Sequence, residues 1–140
     1  MKILITILFL SLLSSSCSKD HRVAPIDDLV VRDGLYYKKF SDVPFSGKVT
    51  GSYEGTLNYG KKEGEWVDYW TNGQLYSKGN YKNGKKEGAW VFYWDNGQLM
   101  RKGNYKNGKR EGAWVEYENY GTLDRERSGT YKNGVKIRKD

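Results

Sequence analysis

Apolar and polar positions alternate along most of the chain after its first seventeen residues. Between residues 64 and 69, Trp66 and Asp68 share one parity, while Val67 and Tyr69 share the other. A period of two is typical of β-strands, whose successive side chains point to opposite faces of a sheet. The 3.6-residue apolar period of an amphipathic helix is absent from this part, so the pattern predicts an all-β fold with almost no helix.

The alternating segments belong to a 24-residue repeat. The motif Gly-x-Trp-Val-x-Tyr begins at Gly64, Gly88 and Gly112. Asn-Gly-Gln-Leu follows at 72–75 and 96–99, and Gly-Asn-Tyr-Lys-Asn-Gly follows at 79–84 and 103–108. A degenerate copy precedes these at 33–64, as expected of a terminal repeat that caps an array. The sequence therefore predicts about four units, each made of two short strands and two turns.

The turns can be assigned from their Asn-Gly pairs. Asn72-Gly73 and Asn96-Gly97 predict tight primed hairpin turns, because such turns need a positive φ at both central residues. The last copy of the Gly-x-Tyr motif arrives two residues late, with its tyrosine at Tyr131. An insertion of two residues preserves the facing of a strand, so we expect Tyr131 on the face used by Tyr81 and Tyr105.

The two faces of the predicted strands differ in how strictly they repeat. The Val-x-Tyr pair at Val67 and Tyr69 is identical in all three copies, which predicts that this face is the core. On the other face the first tryptophan is constant, but the positions after it vary in polarity. We expect this strip to be partly exposed and to contact a partner, although its rings could instead bridge neighbouring hairpins. Its candidate binding residues are Asp68, Trp70, Phe92 and Trp94.

The first residues resemble a secretory signal that ends in a lipid-attachment site. One lysine precedes an apolar run that is too short to span a bilayer, and small residues lead directly to Cys17. This order resembles the bacterial lipobox, although Ser14 stands where that motif usually has leucine. We therefore predict a signal peptide over 1–16, an acylated Cys17, a tether over 17–31 and a repeat domain over 32–140. The alternative is an ordinary secretory signal followed by a free thiol.

Positive charge recurs at a fixed place in the repeat. The formal net charge of +7 suits an anionic partner such as a lipid headgroup, a glycan or an acidic protein. Solubility of an aromatic sheet is the simpler explanation for the same charges. Stacked repeats would align the basic pairs along one edge, which makes them candidate binding residues. These residues are Lys61, Lys62, Lys85, Lys86, Lys109 and Arg110.

Few residues are suited to catalysis or to metal binding. The chain has one cysteine and one histidine, which largely excludes histidine triads and multi-cysteine zinc sites. Glu63, Glu87 and Glu111 recur beside a basic residue. They could form a row of cation ligands, but solvated ion pairs are the commoner outcome. We predict no enzyme activity, no cofactor and no metal.

The spaced motifs over roughly 32–136 resemble the MORN family (membrane occupation and recognition nexus) in its bacterial variant, often labelled as YwqK-like antitoxins. The resemblance implies successive β-hairpins in one elongated, twisted antiparallel sheet that serves as a scaffold or contact surface. We therefore expect a non-enzymatic binding module anchored at the bacterial cell envelope, with a protein, glycan or anionic-lipid partner. Nucleic acid is an unlikely partner for an exported chain. The alternative is an antitoxin or immunity protein with one dedicated toxin partner.

Overall fold

The computed structural model describes residues 22–137, which contain twelve β-strands and a single 3-10 turn, Ile26–Asp28. The first six strands are β1 (Val23–Pro25), β2 (Leu29–Arg32), β3 (Leu35–Lys38), β4 (Gly47–Thr50), β5 (Tyr53–Asn58) and β6 (Lys61–Tyr69). The others are β7 (Leu75–Lys82), β8 (Lys85–Tyr93), β9 (Leu99–Lys106), β10 (Lys109–Glu116), β11 (Gly129–Lys132) and β12 (Val135–Ile137). Within these residues no helix is long and apolar enough to cross a membrane.

Ten of the strands form one long sheet in the order β1-β4-β5-β6-β7-β8-β9-β10-β11-β12. From β4 onward every neighbouring pair is antiparallel and consecutive in the chain, while β1 lies parallel to β4. Strands β2 and β3 form a separate hairpin that packs its Leu29 and Tyr36 against the core of the first hairpins. The predicted all-β array of antiparallel hairpins is confirmed.

The predicted tether is wrong for residues 23–31, which form β1, the 3-10 turn and most of β2. These residues form regular structure because their apolar side chains pack into the core of the first hairpins. Ala24 is buried, and Ile26 and Leu29 pack on the same cluster. Cys17 and the predicted signal peptide lie outside the described residues.

The tight two-residue turns lie at the second Asn-Gly pair of each unit. We call the turns at the first pair the wide turns, because there the Gly73 N–H donates to the Trp70 carbonyl and the Trp70 N–H donates to the Gln74 carbonyl. Asn83 and Gly84 both have a positive φ (51° and 77°), and the equivalent pairs at 107–108 and 133–134 repeat this geometry. At the first pair only the glycine is left-handed, with a φ of 81° at Gly73. Asn72 keeps an ordinary backbone, and its side chain accepts from the N–H of Gln74 and donates to the carbonyl of Asp95 in the next unit. The expected primed turn is wrong here because Asn72 links neighbouring units.

The core lies on the face opposite to the one expected. Trp66, Trp90 and Trp114 are 1–2 % exposed, and we call their side of the sheet the tryptophan face. Val67 is half-buried and Tyr69 is 36 % exposed, and we call their side the valine face. The prediction of a core on the valine face is wrong, because both clusters of buried side chains in the described residues lie on the tryptophan face.

Each of these tryptophans lies over a glycine of the preceding strand. A methyl group added to Gly79 would overlap the Trp90 ring, and Gly55 and Gly103 have the same relation to Trp66 and Trp114. Strand β8 bulges at this point, with Asn80 opposite Glu87 and Gly79 opposite Trp90. The bulge leaves the Asn80 carbonyl free to accept from the Trp90 indole N–H at 3.1 Å. The equivalent bonds join Trp66 to Thr56 and Trp114 to Asn104.

The tyrosines of the Gly-x-Tyr motif complete the tryptophan face. Tyr81 meets Trp90 edge to face at a centroid distance of 5.1 Å, and Tyr105 meets Trp114 in the same way at 4.9 Å. Tyr131 lies 6.5 Å from Trp114 in a further edge contact. The prediction that Tyr131 shares a face with Tyr81 and Tyr105 is confirmed. Edge-to-face pairs of this kind add stability beyond the area that they bury.

Replacing Gly79 by alanine should destabilise the array, because the new methyl group would displace a ring that neighbouring side chains hold in place. We expect Gly79→Ala to lower the free energy of unfolding by about 1–3 kcal/mol, as overpacking of a core usually does. Asn80→Ala is the matched control, since the exposed side chain of Asn80 points to the opposite face of the sheet from the same strand. Urea unfolding followed by tryptophan fluorescence measures both variants. Equal stability of the two would contradict the close Trp90–Gly79 contact.

Candidate binding surface

The four residues predicted to contact a partner all belong to the tryptophan face. Phe92 is 1 % exposed, since its ring stacks on Trp90 at 5.6 Å, so it belongs to the core and offers no contact surface. Asp68 is partly buried and accepts from the Ser77 hydroxyl at 2.7 Å. The exposure predicted for this strip is therefore wrong at Phe92. The varying polarity that suggested contact with solvent instead matches different local partners within the fold.

Trp70 and Trp94 connect one hairpin to the next. The indole N–H of Trp70 donates to the Tyr93 carbonyl at 3.0 Å, and that of Trp94 donates to the Tyr117 carbonyl at 3.1 Å. Both side chains are half-buried, and the Trp70 ring also meets Tyr76 edge to face. Of the two roles weighed from the sequence, the structure shows the bridging one for these rings.

Glu116 occupies the place of Asp68 and Phe92 in the third copy, and it is 4 % exposed. Arg110 forms an ion pair with its carboxylate at 2.6 Å, and Arg127 approaches it at 3.9 Å. A buried carboxylate without such partners would be costly. Glu116 is thus a buried, ion-paired carboxylate and offers no contact surface.

The predicted basic pairs recur at the same end of the strands, but the two members of each pair point to opposite faces of the sheet. The second member of each pair lies over the aromatic rings of the tryptophan face. The Lys62 ammonium is 4.1 Å from the Trp66 ring centroid, and the Lys86 ammonium is 4.3 Å from that of Trp90. Arg110 lies in the same way 4.5 Å from Trp114. These cations cover the core and gain a favourable interaction with the ring faces.

Burial lowers the pKa of two of these ammonium groups, those of Lys86 and Lys62. Removal from water, and then the charge of Arg101, lower the pKa of Lys86 to about 8. Burial also lowers the pKa of Lys62. The rings of Trp90, Phe92 and Tyr105 surround the Lys86 ammonium at 4.3–5.2 Å.

The recurring glutamates stabilise the tight turns. Glu63 accepts from the backbone N–H of Asn83 at 2.8 Å, and Glu87 and Glu111 do the same for Asn107 and Asn133. These bonds join each unit to the turn of the next one. No group of three or more potential metal ligands occurs within residues 22–137.

The valine face carries recurring side chains that the protein leaves uncovered. Cross-strand pairing places a row of alternating tyrosines and leucines near the wide turns, which we call the tyrosine row. It consists of Tyr69, Leu75, Tyr93, Leu99, Tyr117 and Leu123. A second row alternates valine with lysine, and we call it the valine row. It consists of Val67, Lys78, Val91, Lys102 and Val115.

Concave spaces follow both rows. A groove of about 540 Å³ crosses three hairpins, with Ala89, Val91, Ala113 and Val115 among its lining residues. Lys78 and Lys102 also line it. Two smaller hollows of about 260 Å³ each recur one repeat apart between the leucine of one hairpin and the tyrosine of the next. A groove with an apolar floor and polar margins is suited to binding and positioning a ligand.

The first member of each basic pair stands beside a tight turn on the valine face, together with the lysine that precedes the Asn-Gly pair. Lys82 lies directly opposite Lys85, and Lys106 lies directly opposite Lys109. Like charges at such positions destabilise a sheet unless something neutralises them. We call the exposed lysines at this end of the strands the turn lysines: Lys61, Lys82, Lys85, Lys106, Lys109 and Lys132.

Sequence reasoning therefore missed the valine face as the open surface. The signal that identifies the core is the glycine that recurs at Gly79 and Gly103, because a glycine inside a strand often marks the close approach of a neighbouring group. Together with the constant tryptophan of the following strand, this glycine indicates that the indole ring packs directly on the backbone of the neighbouring strand.

Comparison with known protein families agrees with this architecture. Residues 62–83 and 86–107 each match the MORN repeat variant. These two segments are adjacent repeats of the central sheet, covering β7 and β9 in full and most of β6 and β8. The chain matches no curated protein. MORN repeats are generally binding modules, which suggests a binding or scaffold role for the central hairpins.

The lowered pKa of Lys86 should appear in the pH dependence of stability. The folded state releases this proton near pH 8, whereas the unfolded chain keeps it up to the ordinary value of 10.5. Because the unfolded state binds more protons between these values, the Lys86 contribution to stability rises with pH over this window. The stability of Lys86→Met relative to wild type should therefore fall from pH 8 to pH 10, measured by urea unfolding.

Lys85→Met is the control for this measurement, because the exposed Lys85 lies next in the chain but on the opposite face. The free energy of unfolding of Lys86→Met relative to wild type would contradict a buried ammonium at Lys86 if it stayed constant, or rose, from pH 8 to pH 10.

Proposed function

We propose that this protein is a lipid-anchored binding module of the bacterial cell envelope, which holds a partner on its valine face without transforming it. The observation that carries the proposal is the uncovered valine face. There, apolar and cationic side chains recur in every hairpin although nothing in the described chain packs over them.

The composition of the valine face supports recognition. Val91 and Tyr93 are half-buried, while Ala89, Lys102 and Asn104 are exposed, so apolar and polar groups are presented side by side. Half-exposed apolar residues in contiguous rows are typical of surfaces that bind another molecule. The same rows recur from hairpin to hairpin, which favours an extended partner that crosses several strands.

The location at the envelope rests on the N-terminal sequence. An apolar run and the small residues Ser14, Ser15 and Ser16 lead directly to Cys17, an arrangement that resembles a lipoprotein signal. A tether of a few residues would then separate the acylated Cys17 from Val23, the first residue of the sheet. A lipid chain provides membrane attachment, so the valine face itself needs no affinity for the bilayer.

Cys17→Ser should abolish membrane attachment, because serine lacks the thiol to which the lipid would be joined. We expect the wild-type chain to enter the detergent phase and to incorporate labelled palmitate in bacterial cells, and the variant to do neither. Lys102→Gln is the control, since it keeps Cys17 and changes only an exposed side chain of the valine face. A Cys17→Ser chain that still fractionates with membranes as the wild type does would contradict the anchor.

A further inference from the structure

The tyrosine row has a regular spacing across the sheet. Each repeat advances the sheet by two strands, so equivalent residues such as Tyr93 and Tyr117 lie roughly 9.5 Å apart, twice the usual distance between neighbouring strands. The hollow between Leu75 and Tyr93 recurs between Leu99 and Tyr117, with Gln74 and Gln98 at its margin. The row therefore offers the same combination of a ring, a hollow and an amide at each step.

Cations accompany the row at the same spacing. Lys78 and Lys102 occupy equivalent positions in the valine row, three residues along their strands from Leu75 and Leu99 of the tyrosine row. Lys78 is partly neutralised by Glu65 at 3.1 Å, whereas Lys102 has no acidic partner among residues 22–137. The turn lysines add more positive charge to the same face, where Glu63, Glu87 and Glu111 offset part of it at the turns. The directly opposed pairs Lys82–Lys85 and Lys106–Lys109 would be stabilised further by an anion placed between them.

We propose that the valine face binds a linear anionic glycan that runs across the strands along the tyrosine row, an inference that rests on the binding role proposed above. Each disaccharide unit would place one sugar ring in a hollow against a tyrosine. The carboxylate or sulfate of that unit would meet a lysine of the valine row, and the glutamines and asparagines beside the rows would bond to hydroxyl groups.

The spacing favours a glycan over a peptide. An extended peptide presents side chains to one face about every 6.7 Å, which does not match the spacing of the hollows. The length of one disaccharide in an extended, equatorially linked glycan is close to the spacing of the repeats. Successive units would therefore meet equivalent residues of successive hairpins.

The shape of the surface favours a glycan over a lipid bilayer. The leucines and tyrosines line hollows and a groove, and they are half-buried at Leu75, Tyr93, Leu99 and Tyr117. A flat membrane surface would not enter these hollows, whereas a chain of sugar rings would. Charge complementarity, repeat spacing and recessed apolar contacts thus agree on one class of partner.

The test uses the full-length chain purified in detergent and a hyaluronan octasaccharide, a linear glycan with one carboxylate per disaccharide. Titration calorimetry compares wild type with Tyr93→Ala and Lys102→Gln. The matched controls are Tyr59→Ala and Lys39→Gln, which remove an exposed ring and an exposed cation outside the two rows. We expect each row variant to weaken binding roughly tenfold, the effect of losing one well-placed contact, and each control to bind as the wild type does.

Two further probes separate the glycan from its alternatives. Chitohexaose has the rings without the charge, and polyglutamate has the charge without the rings, so both should bind more weakly than hyaluronan. Equal binding of polyglutamate would show that the face recognises charge alone. Lys102-dependent binding of phosphatidylglycerol vesicles without binding of hyaluronan would show a membrane surface. Either result would overturn the proposal of a glycan ligand but would leave the binding role proposed above intact. Thermal melts of all variants show whether a loss of binding comes from a loss of fold.

Discussion

One indole ring per repeat lies over a glycine of the neighbouring strand, and the rest of the sheet depends on this contact. Glycine is required at Gly79 because any side chain would occupy the place of the Trp90 ring. The bulge at Gly88, with a φ of 69°, frees the carbonyl that accepts the indole N–H. The ring is thereby fixed by packing and by a directional bond, which allows a thin sheet to hold a core without a second layer over its whole length.

The burial of these rings explains the contrast between the two faces. On the tryptophan face, Lys62, Lys86 and Arg110 lie over the rings, and Tyr81 and Tyr105 fill the spaces between them. The chain therefore covers this face with its own side chains. The opposite face presents half-buried valines, leucines and tyrosines beside exposed lysines, so it remains available to a partner. A surface repeated from hairpin to hairpin is suited to an extended ligand, because each unit contributes the same contacts.

The sequence predicted the all-β class and the succession of antiparallel hairpins, because alternation and self-similarity are local properties that can be read directly. It also predicted the facing of Tyr131 from the two-residue insertion. It did not predict which face is buried, since Trp66 and Val67 recur equally well and the distinguishing signal is the glycine of a neighbouring strand, such as Gly79 beneath Trp90. The difference between the turns at Asn72 and Asn83 likewise depends on the bond from Asn72 to the next hairpin. Among the candidate site residues, Phe92 is buried in the core, whereas Lys61, Lys85 and Lys109 are exposed.

Hydrogen exchange of the indole N–H groups tests the central claim most directly, because it reports separately on each tryptophan in the native protein. The account predicts that the indole protons of Trp66, Trp90 and Trp114 exchange as slowly as the most protected backbone amides of β6 to β10, since release requires opening of the sheet. Exchange of these three protons at the rate of a solvent-exposed indole, with the fold intact, would contradict a core built on tryptophan and glycine.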